Sequence, residues 1–238
     1  MKFENTWTGN FDGAIRGLRN PLASWEKSDS FIDSENKYFF GENDIKLAQK
    51  LINAGPEHRK FMRQIFVSVD ITAPIFWWKE LSTYKVATTA NSTSTMHKLA
   101  STPITLDCFE TGTFNSDLEY YSYTTPYMQG EYTNTVGMLA DLIIEQLEFL
   151  RLKYNETKDK KYWYELVRWL PMGWLQTRTW SANYEILHSI VKQRANHKLE
   201  HEWGSFINWC TTLPYAKELI FCGDERKTIF NKYKNFGK

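Results

Sequence analysis

Leu170-Pro171-Met172-Gly173-Trp174-Leu175-Gln176-Thr177-Arg178-Thr179-Trp180-Ser181-Ala182-Asn183-Tyr184-Glu185-Ile186-Leu187-His188-Ser189-Ile190-Val191-Lys192-Gln193-Arg194-Ala195-Asn196-His197-Lys198-Leu199-Glu200-His201-Glu202-Trp203 is the stretch from which the rest of the chain is read. Ile186, Leu187, Ile190 and Val191 recur at helical spacing, which predicts a helix with one apolar face. Ser181 is a suitable N-cap, so the helix is expected to begin near Ala182. Asn183 and Arg194 are eleven residues apart. At 3.6 residues per turn that is about three turns, which would bring both to one side of the helix. An Asn and an Arg beside an apolar stripe suit a planar, anionic ligand.

Two chemistries compete for this segment. His197-Lys198-Leu199-Glu200-His201 matches H-x-x-E-H, the inverted zinc-hydrolase motif, in which two His one helical turn apart share a metal. That motif needs a third carboxylate ligand well downstream. Only 37 residues follow His201, with no second helix that clearly supplies one.

The other pattern is longer. It comprises Leu170-Pro171, Asn183 twelve residues after the Pro, Leu187 four after the Asn, Arg194 eleven after it, and Glu202 eight further on. This pattern resembles the C-terminal signature of flavin-dependent thymidylate synthases. Thr177-Arg178 stands one residue late for that family's Thr-Arg. Glu185 reverses the charge of its Arg, Leu199-Glu200 replaces its Ala-Gln, and Arg168 is one step late for the Arg before Leu-Pro.

Bulk composition narrows the class. With 238 residues the chain is long enough for one large core, and residues 1–238 are expected to form a single domain. A net charge of +1 without a basic block argues against nucleic acid as principal partner. No run of about eighteen apolar residues occurs, so no membrane span is expected. Three cysteines, none in a C-x-x-C pair, and an N-terminus without an apolar leader core predict a reduced, cytoplasmic protein. Ten Trp and thirteen Tyr can fill a core or an interface, or stack on planar ligands.

Residues 1–36 read as polar and punctuated. Ala14 to Leu18 is a short helix or strand, and Arg19 to Ser24 is a surface turn. Asn43 or Asp44 caps an expected helix that ends near Gly55-Pro56. Ile65 to Ile71 alternates as a strand, followed by the turn Ala73-Pro74 and a helix from Trp77. Thr88 to Lys98 holds six hydroxyls beside His97 and Lys98, a composition suited to a phosphate cradle or to a plain polar loop. No P-loop or dinucleotide fingerprint is present. Leu118 to Tyr123 is a strand or an aromatic loop. Asn134 or Thr135 opens a helix through Leu139, Leu142, Ile143, Leu147, Leu150 and Leu152, and Tyr162 to Trp169 continues as helix. Lys232 to Lys238 is expected to be a mobile basic tail.

The resemblance extends to the first half of the chain. His58 falls where the family has a ligand-binding His. The family's Gln-x-x-Arg-His-Arg falls on Glu80 and Thr83-Tyr84-Lys85, of which only Lys85 keeps a positive charge. Its two Ser positions fall on Thr88 and Thr93. Its Glu falls on Asn91, and its phosphate-binding Ser-Gly-Arg on Thr93-Ser94-Thr95. The match covers roughly residues 45–98 and 165–215. The resemblance implies an α/β fold with a mostly antiparallel central sheet flanked by long helices, assembled as a homotetramer with sites shared among subunits. It also implies reductive methylation of dUMP to dTMP, with FAD as cofactor, a pyrimidine deoxynucleotide monophosphate as substrate, and methylenetetrahydrofolate and NADPH as co-substrates; the alternatives are a diverged flavin enzyme modifying C5 of another pyrimidine nucleotide and a non-catalytic homologue that kept the fold. On the synthase reading Arg194 is the catalytic cation at the pyrimidine. Glu80, Thr93, Ser94, Thr95 and Arg168 join it in binding substrate. His58, Thr83, Tyr84, Lys85, Asn91 and Asn183 bind the flavin. Cys108, in Leu-Asp-Cys-Phe, lacks the Pro-Cys context of the unrelated thymidylate synthases that use a Cys nucleophile.

Overall fold

The structure, a computed structural model, describes residues 1–35, 37–124 and 131–237. In chain order the strands are β1 (Lys2–Gly9), β2 (Phe31–Ile32), β3 (Tyr38–Phe39), β4 (Phe66–Pro74), β5 (Thr89–Ser92), β6 (Glu119–Thr124), β7 (Glu131–Thr135) and β8 (Leu175–Asn183). The helices are α1 (Phe11–Arg19), α2 (Glu42–Ala54), α3 (Ile75–Leu81), α4 (Thr95–Lys98), α5 (Val136–Thr157), α6 (Lys160–Arg168), α7 (Tyr184–Arg194), α8 (Glu200–Thr211) and α9 (Asp224–Tyr233). β1, β4, β8 and β5 form one sheet in that order, while β2–β3 and β6–β7 are separate antiparallel pairs. The expected mixed α/β class with an antiparallel sheet is what the chain adopts.

β4 shows why its sequence is a strand. Val67, Val69, Ile71 and Ala73 are buried, and Ser68, Asp70 and Thr72 between them are not. This is the period-two pattern of a strand with one packed face. Its polar residues meet those of β8. The Ser181 hydroxyl donates to Ser68 Oγ (3.3 Å), the Thr179 hydroxyl to Asp70 Oδ1 (2.5 Å), and Thr72 and Thr177 share a hydrogen bond of 2.7 Å. Partners advance along one strand as they retreat along the other, so the two are antiparallel in one register.

The chain forms two compact units. The first comprises 1–71, 81–91 and 178–238, and the second 72–80 and 92–177. The core of the first unit is aromatic. Trp203 and Phe206 pack edge-on at 5.6 Å, and Trp180 meets Phe206 at 5.9 Å. Tyr184 is fully buried, with its hydroxyl donated to Pro214 O (2.8 Å).

In the second unit Leu99, Ile104, Leu147 and Leu166 form a core beneath α5 and α6. Glu148 of α5 pairs with Arg151 and accepts Ile104 N–H (2.8 Å), and Arg151 and Asn155 both donate to Ala100 O. The 100–104 segment is thereby fastened along α5. Thr135 caps α5 through Met138 N, as its sequence predicts.

Several expectations are corrected. Ser181 does not cap α7, because β8 runs on to Asn183 and the Asn183 carboxamide accepts Ile186 N–H instead. α2 starts at Glu42, before Asn43 and Asp44. Its first amides are capped from afar by Asp29, which accepts Asn43 N–H (2.9 Å) and Asp44 N–H (3.1 Å). Arg19 is not on a surface turn. It is buried, gives its Nε–H to Asp44 Oδ1 (2.5 Å) and its terminal nitrogens to Ser24 O and Lys27 O. Burial raises the Asp44 carboxyl, but the Ser28 and Ser30 hydroxyls and Arg19 outweigh it and hold it below the usual carboxylate range. A buried charge with every lone pair used is the arrangement that avoids a desolvation penalty. The segment from Lys232 is not a loose tail either. Tyr233 is buried with its hydroxyl on Ala195 O (2.5 Å), although Lys238 lies outside the described residues.

His188, on the buried face of α7, donates Nδ1–H to Ile220 O (2.9 Å). Burial, with Arg226 and Arg59 nearby, pushes its pKa from 6.5 down to about 4. The unfolded chain therefore binds a proton here before the folded protein does. The stability this His contributes is complete above about pH 6.5 and lost as the pH falls toward 4. His188→Asn keeps a donor for Ile220 O but cannot titrate. Urea unfolding between pH 7 and 4.5 should show a shallower decline in the variant, and equal slopes in the two proteins would contradict the assignment.

Candidate functional site

Arg194 is the last residue of α7, and three groups fix its guanidinium. Its Nε–H donates to Tyr84 Oη (2.8 Å), and the Tyr84 hydroxyl donates onward to Gln193 Oε1 (2.9 Å). The guanidinium lies 4.7 Å from the Trp203 ring centroid and 5.3 Å from that of Tyr84, both within cation–π range. Trp203 is fully buried, so one aromatic wall is part of the packed core. Tyr84 is set by the turn after α3, where its N–H bonds Leu81 O (3.1 Å), the Thr88 hydroxyl donates to its carbonyl, and Ala87 adopts a left-handed φ of 56°. Only Tyr84 of the Thr83-Tyr84-Lys85 triplet is partly buried. Thr83, Lys85 and Asn91 are exposed.

Asn183 is buried at the β8–α7 junction, and its Oδ1 is committed to the cap. Because it stands in extended backbone ahead of the helix, three helical turns do not relate it to Arg194, which corrects the same-side expectation. Two residues on, Glu185 accepts from Arg59 Nε (3.2 Å) and faces Arg63 Nε (3.5 Å), so the reversed charge at this position is matched by cations. His58 is exposed beside Glu57. Glu202 is buried, 3.9 Å from His201 Nδ1. Arg178, on β8, is held below its usual pKa by burial.

In the second unit Thr93, in the later part of the hydroxyl run, is held by β8. Thr93 N–H (2.9 Å) and Thr93 Oγ1 (3.3 Å) both donate to Thr177 O, and Gln176 Nε2 donates to Thr93 O (2.8 Å). Ser94 caps α4 by accepting His97 N–H (3.2 Å), which leaves Thr95 at the first helical position. Glu80 lies one residue from the end of α3, and Arg168, exposed at the end of α6, pairs with Glu165.

The zinc geometry is not formed. α7 ends at Arg194 and α8 starts at Glu200, so His197 lies in a turn and only His201 is helical. His197 Nδ1 accepts Leu199 N–H (3.1 Å). Among the described residues no three His, Cys, Asp or Glu side chains gather as a metal site.

No protein-family model matches the sequence, and no curated protein matches it. Solved structures do. A crystal structure of the flavin-dependent thymidylate synthase of Helicobacter pylori, complexed with FAD and dUMP, aligns over 98% of this chain and 99% of its own. Its TM-score is 0.63 and its identity 15%. A second structure of that enzyme, with FAD and dUMP, gives 0.62 and 16% over 99% of this chain and 100% of the other. The fold is that of a flavin-dependent thymidylate synthase. Within this synthase fold, Gln193 and Trp203, which brace Arg194, were not legible as site residues. Trp203 reads as core, and Gln193 becomes visible only once Tyr84 is placed beside it.

Tyr84→Phe removes the shared hydroxyl but keeps the ring. Hydrogen bonds involving a charged group contribute about 1.5–3 kcal/mol, and partial exposure reduces this. A stability loss of about 1 kcal/mol is expected, with greater freedom of Arg194 visible in its Nε–H exchange. Unchanged Arg194 Nε–H exchange would show that Tyr84 does not fix it.

Proposed function

We propose that this protein is a flavin-dependent enzyme acting at C5 of a pyrimidine nucleotide, with reductive methylation of dUMP to dTMP as its leading reaction. The supporting observation is Arg194, braced by Tyr84 and Trp203 on a flavin-dependent thymidylate synthase fold. A half-buried guanidinium whose plane is fixed before substrate arrives can polarise a pyrimidine carbonyl and stabilise negative charge developing on it. Preorganisation matters because a charge that need not reorient costs nothing at the moment of reaction.

The donor set fits a flavin in part. Asn183 offers its Nδ2, and His58, Thr83, Lys85 and Asn91 are exposed polar groups able to reach a ligand. In our reading these residues, with Tyr84, hold FAD. Bound FAD would supply electrons and carry the one-carbon unit, with methylenetetrahydrofolate and NADPH as co-substrates. Glu80, Thr93, Ser94, Thr95 and Arg168 orient the nucleotide. Thr93 and Ser94 present their hydroxyls in fixed directions because backbone groups already engage them.

Thr83-Tyr84-Lys85 in place of Arg-His-Arg favours a second reading, an enzyme that modifies C5 of another pyrimidine nucleotide. Tyr84 is occupied in bracing Arg194, so two of the three positions carry no cation.

We further propose one functional domain, assembled as a cytoplasmic homotetramer. Leu142, Phe149 and Leu152 of α5 and Trp169 beyond α6 are at least half exposed, an apolar surface that association would cover. Among the described residues no helix is long and apolar enough to cross a membrane.

Arg194→Ala and Arg194→Lys, tested in the FAD-loaded protein, address the catalytic assignment. Ala should leave the fold and flavin binding intact, since Ala is the best helix former. It should reduce nucleotide-dependent oxidation of the reduced flavin by about 10²-fold or more, the scale for loss of a preorganised charge-stabilising group. Lys should recover part of that. Titration with dUMP and with other pyrimidine monophosphates separates the two readings. Flavin oxidation that depends on nucleotide equally in all three proteins would remove Arg194 from the reaction. The unmutated protein should sediment at four times 28.1 kDa.

A further inference from the structure

Three guanidinium groups gather around α7, where Glu185 is the carboxylate that pairs with two of them. Arg59, in the turn after α2, donates Nη1–H to His188 Nε2 (3.4 Å), and Arg226 of α9 donates Nε–H to the His188 carbonyl (2.9 Å). The two cations thus converge on one buried residue from separate elements. His188 spends Nδ1–H on Ile220 O, which leaves Nε2 as an acceptor and the ring neutral. Glu185, one turn earlier, is shared by Arg59 and Arg63. Lys192, one turn later, pairs with Glu225 (2.7 Å), so that pair cancels.

What remains is an excess of two positive charges. Among the described residues Arg226 makes one hydrogen bond, through Nε, and its terminal nitrogens make none. Burial and the neighbouring Arg59 both depress its pKa. Like charges held together in a half-buried place are unfavourable unless something balances them. Guanidinium forks are the side chains best matched to tetrahedral oxyanions, which they bind through paired N–H donors.

We propose that Arg59, Arg63 and Arg226 form a binding site for a phosphate group. A phosphate dianion would match the excess charge and accept from the terminal nitrogens of Arg226 while Glu185 keeps Arg59 and Arg63 oriented. None of these residues is among those assigned above to flavin or pyrimidine, and the inference does not rest on that assignment. The phosphate can be free or carried by a nucleotide, and the two sources are distinguishable.

The experiment titrates the full-length protein, and its Arg226→Gln and Arg63→Gln variants, with inorganic phosphate against chloride of matched ionic strength, following thermal unfolding and calorimetric heat. A parallel arm titrates FAD. Phosphate should stabilise the unmutated protein saturably. Arg226→Gln should raise the apparent Kd at least tenfold, and the more exposed Arg63→Gln by a smaller factor. In phosphate-free, low-salt buffer the Arg226→Gln protein should melt no lower than the unmutated one, because a like-charge repulsion has been removed. If phosphate is silent but Arg226→Gln weakens FAD binding tenfold, the site holds and its phosphate is a nucleotide's. The inference is overturned if phosphate does no more than chloride and FAD binds all three proteins equally, a result that leaves the proposed function standing. It is also overturned if both variants respond to phosphate as the unmutated protein does.

Discussion

The antiparallel pairing of β4 with β8 is the constraint that fixes which face of each strand is buried and where α7 begins. The register seen in the side-chain pairs persists in the backbone beyond both strand ends. Tyr184 N–H donates to Ile65 O (3.0 Å), and Ile75 N–H donates to Trp174 O (3.0 Å). α7 leaves β8 without a loop, so the strand register dictates where its first residue stands. α3 leaves β4 in the same way, and the turn that carries Tyr84 follows it. A slip of one residue would exchange the buried valines of β4 for Ser68 and Asp70, which fixes the register strongly.

Buried charge is handled in two ways in this protein. Around Asp44 every acceptor is used by Arg19, two serine hydroxyls and backbone amides, and the network joins the 19–30 segment to the first turn of α2. A carboxylate in a helix's first turn also meets the favourable end of its dipole. Around His188 the accounts do not balance, because the cations outnumber the carboxylate. The first arrangement needs nothing further to be stable. The second is what a protein presents to an anion.

Much of the fold was legible because its signals are periodic. The alternation of Ile65 to Ile71 and the leucines of α5 needed no tertiary information, and Thr135 capped α5 as expected. The missed features are those decided by contacts distant in sequence. Ser181 and Asn183 are both good caps, and only pairing with β4 extends β8 past the first to the second. Asp29 caps α2 from outside the helix, which no local pattern reveals. Arg19 reads as a surface turn until its partner Asp44, 25 residues away, is placed. H-x-x-E-H looks helical by spacing, yet Asn196 and His197 favour a turn, and the imidazole takes the Leu199 amide that a continuous helix would have used. In the candidate site Arg194 itself was legible from the pattern of Leu170-Pro171, Asn183 and Glu202 around it. Its bracing by Tyr84, 110 residues earlier, was not.

If this fold, with Arg194 packed against the Tyr84 and Trp203 rings, serves flavin chemistry on a nucleotide, the protein must hold FAD. The most direct measurement is the visible absorption spectrum of the purified protein incubated with FAD, desalted, and then titrated with dUMP. Flavin bands retained at one FAD per chain, and a spectral change when dUMP is added, are expected. A colourless protein that retains no FAD after desalting, with or without nucleotide, would contradict the flavin assignment.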